Sequence, residues 1–219
     1  RVVVAQPNLP VKIAGAYSGL LTGKTGKTHQ EVSDLSVMRA MPNMTVISPA
    51  DAVEVRAAMI AANGSDGPVY IRMTRDPETV VFPNDYTFEI GRTIVVREGS
   101  DVTIFSTGAQ TMRCLQAADL LAANGISAHV VHVPTIKPLD AEGIAEAAAR
   151  TGRVVTAEDH TIIGGLGGAV AEALGELQPT PMRRVGIRDT FGESAANEDL
   201  LAKYGITPEH VADAARALL

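Results

Sequence analysis

Short apolar runs alternate with stretches of helical period along most of this chain, and the alternation lapses once, near the middle. Val11 to Ala16 is an apolar run that reads as a buried strand, and Thr45 to Ser48 reads as a second, after the Met41-Pro42-Asn43 turn. Ser48-Pro49-Ala50-Asp51 supplies an N-cap, a proline at the first helical position and an acid at the third, which predicts a helix to about Asn63. Asn63-Gly64 ends it and Val69 to Met73 forms the next strand, so parallel pairing is expected across this strand-helix-strand unit.

From Thr74 to Gly91 the periodicity stops, and Asp76-Pro77, Phe82-Pro83-Asn84-Asp85 and Gly91 mark turns. The expected division is a first domain over 1–83, a linker over 84–91 and a second domain over 92–219. In the second, strands are predicted at Ile94 to Val96, Val102 to Ser106, Ala128 to His132, Val154 to Ala157 and Arg184 to Ile187. Helices are predicted at Gln110 to Ala123, Ala141 to Arg150 behind Asp140, Leu166 to Leu177, Asn197 to Tyr204, and Glu209 to Leu219 after Thr207-Pro208. The fold class is α/β with two doubly wound domains: the second a complete, mainly parallel sheet, the first incomplete. Two or three strands and one full helix are too few to cover both faces of a parallel sheet, so an upstream segment or another subunit is expected to complete it.

Composition sharpens this picture. The chain has 219 residues, is 46% apolar with no Trp, and carries a net charge of -6 without any basic stripe, which argues against a nucleic-acid surface. One cysteine excludes a disulfide framework, and Cys114 falls at core spacing with Ala117, Ala118 and Leu121. No apolar run approaches the ~18 residues of a membrane span. The start, Arg1-Val-Val-Val-Ala, is no signal peptide, so a cytoplasmic location is expected; the missing Met suggests a longer parent chain.

The chemistry concentrates in Tyr17 to Gln30, read as the loop at the carboxyl end of the first strand, the edge where open α/β sheets bind ligands. Its Gly-Lys-Thr repeats are not a P-loop, because the glycine required five residues before Gly23 is Ser18 and the one before Gly26 is Leu21. The plain alternative is a solvated loop whose Thr28 or Gln30 caps the next helix. His29 has the strongest local case among the five histidines, since a lysine- and threonine-rich loop leaves it free to exchange protons near neutral pH. His129 and His132 read as structural strand residues, and His160, at a strand end after Glu158-Asp159, as a functional position or an ordinary polar loop. No spacing suits a zinc site, so no metal ligand is assigned. Arg72 and Arg75 end a strand and should lie near the His29 loop, where they bind phosphate or carboxylate, or merely pair with Asp76 or Glu78. Gly164-Gly165-Leu166-Gly167-Gly168 could hold a phosphate but departs from the dinucleotide pattern, so tight packing or a subunit contact is favoured. Ser194 lacks the final glycine of a nucleophile elbow and reads as a loop residue.

The ordered segments G-x-x-G-K-T-H-Q, L-S-V-M-R-A-M-P-N-M, S-P-A-D and V-Y-I-R-M-T-R resemble the thiamine-diphosphate-dependent transketolase family, in particular the C-terminal subunit of split transketolases. S-T-G-A-Q, V-P-T-I-K-P-L-D, A-E-D-H-T-I-I-G-G-L-G-G and D-T-F-G-E-S-A extend that resemblance over essentially the whole chain. It implies a pyrimidine-binding domain piece followed by a transketolase C-terminal domain. It also implies ketol transfer between sugar phosphates, with thiamine diphosphate and Mg²⁺ bound largely by an N-terminal subunit, in a homodimer of the catalytic unit. The cofactor-activating glutamate belongs upstream of Arg1 in that scheme. By resemblance, His29 contacts donor hydroxyls and Arg75 holds the sugar phosphate. Thr25 stands where the family has a substrate-contacting aspartate, Tyr17 where it has a histidine, and Lys27 where a proline is common. Rival readings are a 2-oxo-acid dehydrogenase β subunit, a deoxyxylulose-phosphate synthase piece, or a non-catalytic assembly module.

Overall fold

The computed structural model describes residues 1–219. The first elements are β1 (Lys12–Gly15), α1 (Asp34–Arg39), β2 (Thr45–Ile47), α2 (Ala52–Asn63) and β3 (Val69–Arg72). After them come β4 (Ile94–Arg97), β5 (Val102–Ser106), α3 (Gln110–Ala122), β6 (Ala128–His132), β7 (Thr135–Lys137) and α4 (Ala141–Thr151). The chain ends through β8 (Val154–Thr161), α5 (Leu166–Leu177), β9 (Met182–Ile187), α6 (Asn197–Lys203) and α7 (Pro208–Arg216).

Two sheets result, in the orders β1-β3-β2-β7 and β4-β6-β5-β8-β9. In the second, β6, β5, β8 and β9 are parallel, and β4 pairs antiparallel on the outside of β6. Period-2 alternation sends neighbouring side chains to opposite faces. Ile104 and Val130 pack with α3 and α7 through Cys114, Leu121 and Val211. Phe105 and Val131 pack with α4 and α5 through Ile144, Leu166 and Leu174. Each buried Leu, Ile or Phe of these layers contributes about 1.5–3 kcal/mol by leaving water.

The first sheet gains a strand from the second half of the chain. β3 lies between β1 and β2 in parallel register, and β7, which sequence periodicity does not pick out, adds antiparallel to β2 with Ile47 opposite Thr135. One edge is therefore closed by the second half of the same chain, and β1 is the other edge. One face, through Ile47, Val69 and Ile71, packs on Ala58 and Ala62 of α2. The other face, through Val46 and Tyr70, joins the cluster of Ile144, Leu166 and Leu174, so α4 and α5 serve both sheets.

Two local expectations are also corrected. Asp51, not Ser48, is the N-cap of α2: its extended backbone lets the carboxylate accept from the Glu54 amide at 2.8 Å. β8 runs four residues beyond Ala157, through Glu158, Asp159, His160 and Thr161, which makes His160 a buried strand residue rather than part of a loop.

Candidate functional site

The segment 17–31 leaves the carboxyl end of β1 and is held to the second half of the chain by apolar and polar contacts. Leu20 and Leu21 are fully buried among Val155, Ile187 and Leu200. The Leu20 amide donates to both carboxylate oxygens of Asp159 at 3.0 Å. Gly19 sits at φ 75°, and a Cβ there would lie 2.0 Å from Asp159 Oδ2, so only glycine allows this approach. A 3-10 turn over Gly23–Thr25 comes next. Its Gly23 amide donates to Asn197 Oδ1 at 2.9 Å, and its Gly23 carbonyl accepts from the Ala195 amide at 3.2 Å. Gly26, at φ 79°, faces Ser194 Oγ where a Cβ would stand, and Gln30 Nε2 donates to the Glu193 carbonyl at 3.0 Å. Residues 193–197, which take in Ser194, read from sequence as a loop residue, and Asn197 at the start of α6, are thus the wall against which the segment is set.

This support presents a small group of polar side chains to solvent. His29 is exposed, with Nδ1 3.0 Å from Thr28 Oγ1. Its ring lies 6.3 Å from that of Tyr17, and the Arg75 guanidinium stands 5.8 Å from the centre of the same Tyr17 ring, at cation-π range. Tyr17 adopts φ 64°, a backbone region that costs an ordinary residue of order 1–3 kcal/mol. Arg75 is half-exposed, 3.5 Å from Asp76, and lines a cleft of about 300 Å³ with Met73, Thr74 and the residues that open α2. Asn197 Nδ2 donates to Asp76 at 3.2 Å, so one amide side chain links the 3-10 turn to the partner of Arg75. Thr25 is exposed, but its hydroxyl is turned back onto the Thr22 carbonyl at 2.5 Å.

Arg72 does not stand with Arg75: the expected neighbouring pair of guanidinia is divided, and only Arg75 reaches solvent. Arg72 is buried; its Nε donates to Asp34 at 3.0 Å and its Nη2 to the Asp159 carbonyl at 2.7 Å. Asp34 also accepts from the Tyr70 hydroxyl at 2.7 Å. Burial pushes the Asp34 carboxyl upward, but Arg72, the Tyr70 hydroxyl and His160 outweigh it and hold the group below its ordinary value. Asp159 is shifted the other way, because burial exceeds the help from Arg72 and the Leu20 amide. Burial, and then Asp34, raise the Tyr70 phenol. The network reaches the segment through Asp159, whose carbonyl accepts from Arg72 and whose carboxylate accepts from the Leu20 amide.

The remaining sequence candidates fall into supporting places. His160 is buried, with Nδ1 2.7 Å from the Thr161 carbonyl and Nε2 3.5 Å from the Ser36 amide. His132 joins Glu54 at 2.8 Å to Thr111 at 2.7 Å and so ties α2 to the second sheet. The glycine-rich start of α5 holds a carboxylate of the chain itself: Glu158 accepts from the amides of Leu166 at 2.7 Å and Gly167 at 2.9 Å. Neither Thr28 nor Gln30 caps α1, whose N-cap is Ser33. Cys114 is buried, and burial pushes its thiol up to about 12. Sequence reasoning misses Asp34, Asp159, Asn197 and Ser194 as supports; the only local sign is an acid run, Glu158-Asp159, inside a strand.

Comparison with known proteins completes the picture. Residues 1–77 match the transketolase pyrimidine binding domain, and residues 91–211 match the transketolase C-terminal domain. A 6-deoxy-6-sulfo-D-fructose transketolase subunit of Clostridium sp. (strain MSTE9) is 44% identical over 97% of this chain and 66% of its own length. A putative transketolase C-terminal section of Methanocaldococcus jannaschii is 41% identical over 97% of this chain and 67% of its own. A solved split gene transketolase, described as an inactive beta4 tetramer, superposes with a TM-score of 0.93 at 47% identity, over 99% of this chain and 69% of that one. The chain spans about two thirds of the length of these relatives. With both domain types matched in order and a fold shared at this identity, the chain belongs to the transketolase family.

Proposed function

We propose that this chain is one part of a split transketolase: with an N-terminal partner subunit it transfers a two-carbon ketol unit from a ketose phosphate to an aldose or aldose phosphate. The observation that carries the reading is the exposed group His29, Tyr17 and Arg75, set on one surface by a buried scaffold. Arg75 would grip the sugar phosphate, with Tyr17 beneath it limiting where the guanidinium can go. His29 would orient substrate hydroxyls and take up or return a proton at Nε2, since Nδ1 is engaged by Thr28. Thr25 would act through the shape of the turn, its hydroxyl being spent on Thr22. Arg72 is withdrawn from ligand binding and becomes a positioning residue.

Members of this family use thiamine diphosphate, which supplies the electron sink for cleaving and forming the carbon-carbon bond. The donor set in this chain does not fit the diphosphate end of that cofactor. No group of three or more His, Cys, Asp and Glu is placed to hold a metal ion, and the amides at the start of α5 are taken by Glu158. The proposal therefore assigns the diphosphate and its Mg²⁺ to the N-terminal subunit, and to this chain the sugar.

The test is reconstitution. The chain combined with its N-terminal subunit, thiamine diphosphate and Mg²⁺ should transfer a ketol unit from a ketose phosphate. Turnover only with a 2-oxo acid as donor would support the dehydrogenase or deoxyxylulose-phosphate synthase readings, and stable association without turnover would support an assembly module. In the active complex, Arg75→Ala should raise KM for phosphorylated sugars by about tenfold or more, with little effect on unphosphorylated ones. Equal effects on both would remove Arg75 from the phosphate.

A further inference from the structure

A second concave surface is lined by Gly192 and Glu193, at the start of the same wall. Lys27, two residues before His29, faces Arg188, Lys203 and Glu193 across a cleft of about 590 Å³. Lys203 and Glu193 neutralise each other in an ion pair, whereas Lys27 and Arg188 have no carboxylate partner. The cleft adjoins another of about 560 Å³ through shared Arg188 and Tyr204, and the second is lined by Arg183 and Arg184. Of 14 arginines in the chain, eight are paired with a carboxylate, and three of the remaining six line these two clefts. Unneutralised positive charge is thus gathered in one place on a chain whose net charge is -6. Charged residues on an open strand edge guard against unwanted pairing, which accounts for Arg183 and Arg184 on edge strand β9. It does not account for Arg188, beyond the end of β9 at Ile187, or for Lys27, on a different element.

We propose that the cleft between the His29 segment and residues 188–193 binds the phosphate of a small organic phosphate, with Lys27 and Arg188 as its cations. A guanidinium offers two parallel N–H donors to a phosphate, and the lysine adds a point charge. The two walls are already joined by the Gln30 to Glu193 bond and the close approach of Gly26 to Ser194, so little ordering is needed on binding. The volume lies in the range of small-molecule sites. The phosphate is either that of a reacting sugar phosphate, in which case the inference rests on the transfer reaction proposed above, or that of a separate effector.

Binding is measured first on the chain carrying Arg75→Ala, by calorimetric titration with ribose 5-phosphate, and with ribose as the uncharged control. Lys27→Ala and Arg188→Ala should each weaken ribose 5-phosphate binding by about tenfold. Arg56→Ala, which removes an exposed, unpaired arginine on α2, should leave it unchanged. The same affinity in the Lys27→Ala/Arg188→Ala double variant, or an equal loss with Arg56→Ala, overturns the site. Both cations are exposed, and an unchanged circular dichroism spectrum excludes unfolding as the cause of a loss. In the reconstituted enzyme with Arg75 restored, a rise in KM confined to phosphorylated sugars in the double variant identifies the reacting sugar as the source. Unchanged KM, with inhibition or activation by glycerol 3-phosphate abolished, identifies an effector. If no sugar is turned over, the transfer reading fails while the titration still decides the site.

Discussion

At the residue scale, the exposed group of His29, Tyr17 and Arg75 owes its geometry to side chains outside it. Asn197 holds the Gly23 amide with its oxygen and Asp76 with its nitrogen. Asn197→Ala frees Asp76 to close on Arg75 and compete with a phosphate. KM for phosphorylated sugars should then rise about three- to tenfold, in line with one lost hydrogen bond, while unphosphorylated sugars are unaffected. A uniform loss across both sugar classes would count against the linkage. The Asp34 and Arg72 pair makes a pH prediction with a definite sign. The folded carboxyl lies below its ordinary value of 3.8, so its stabilising contribution is present above 3.8 and is lost as pH falls through the folded value. Asp34→Asn should flatten the acid limb of a plot of urea-unfolding midpoint against pH below about 4. An unchanged limb would show that Arg72 does not depend on this charge.

The elements show where sequence is a good guide and where it is not. α5 and the strands β5 and β6 fall on their expected residues, because apolar runs and capping residues carry local information. β7 is invisible to such reading: Thr135–Lys137 is three residues long, and its pairing is decided by β2, far away in sequence. The start of α2 is misplaced for a similar reason. Ser-Pro-Ala-Asp fits a cap at Ser48 as well as at Asp51, and only Asp51 finds further donors, the amides of Val81 at 2.5 Å and Phe82 at 2.9 Å. Since one carboxylate both caps α2 and fixes the segment after β3, Asp51→Ala should cost about 2–4 kcal/mol, more than the ~1 kcal/mol of a simple cap. Chemical denaturation measures this, and a loss near 1 kcal/mol would reduce Asp51 to a cap alone. The site divides the same way. The exposure of His29 and Arg75 is legible because both follow strand ends in polar sequence, and the burial of Arg72 is not, because only the fold brings Asp34 to it.

For the whole molecule, one cluster containing Leu35, Val46, Tyr70, Phe105 and Leu166 runs from the first sheet into the second, and another takes in Leu20 and Leu21 from the segment 17–31. The two sheets should therefore melt together. A single calorimetric transition is expected, with Cys114, buried and pushed up to about 12 by burial, becoming reactive to a thiol reagent over the same temperature range. Two separated transitions, or early exposure of Cys114, would show that the halves hold together only weakly. No helix is long and apolar enough to cross a membrane.

The contact of β7 with β2 also limits how relatives can be recombined. A chimera joined within the irregular stretch 84–91 exchanges the second sheet together with β7, and so replaces the strand that closes the first. Such hybrids will succeed only where the incoming Thr135 to Lys137 segment matches Val46 and Ile47 in register. A crossover placed just after Lys137 would leave that seam intact, at the cost of a new one between β5 and β8.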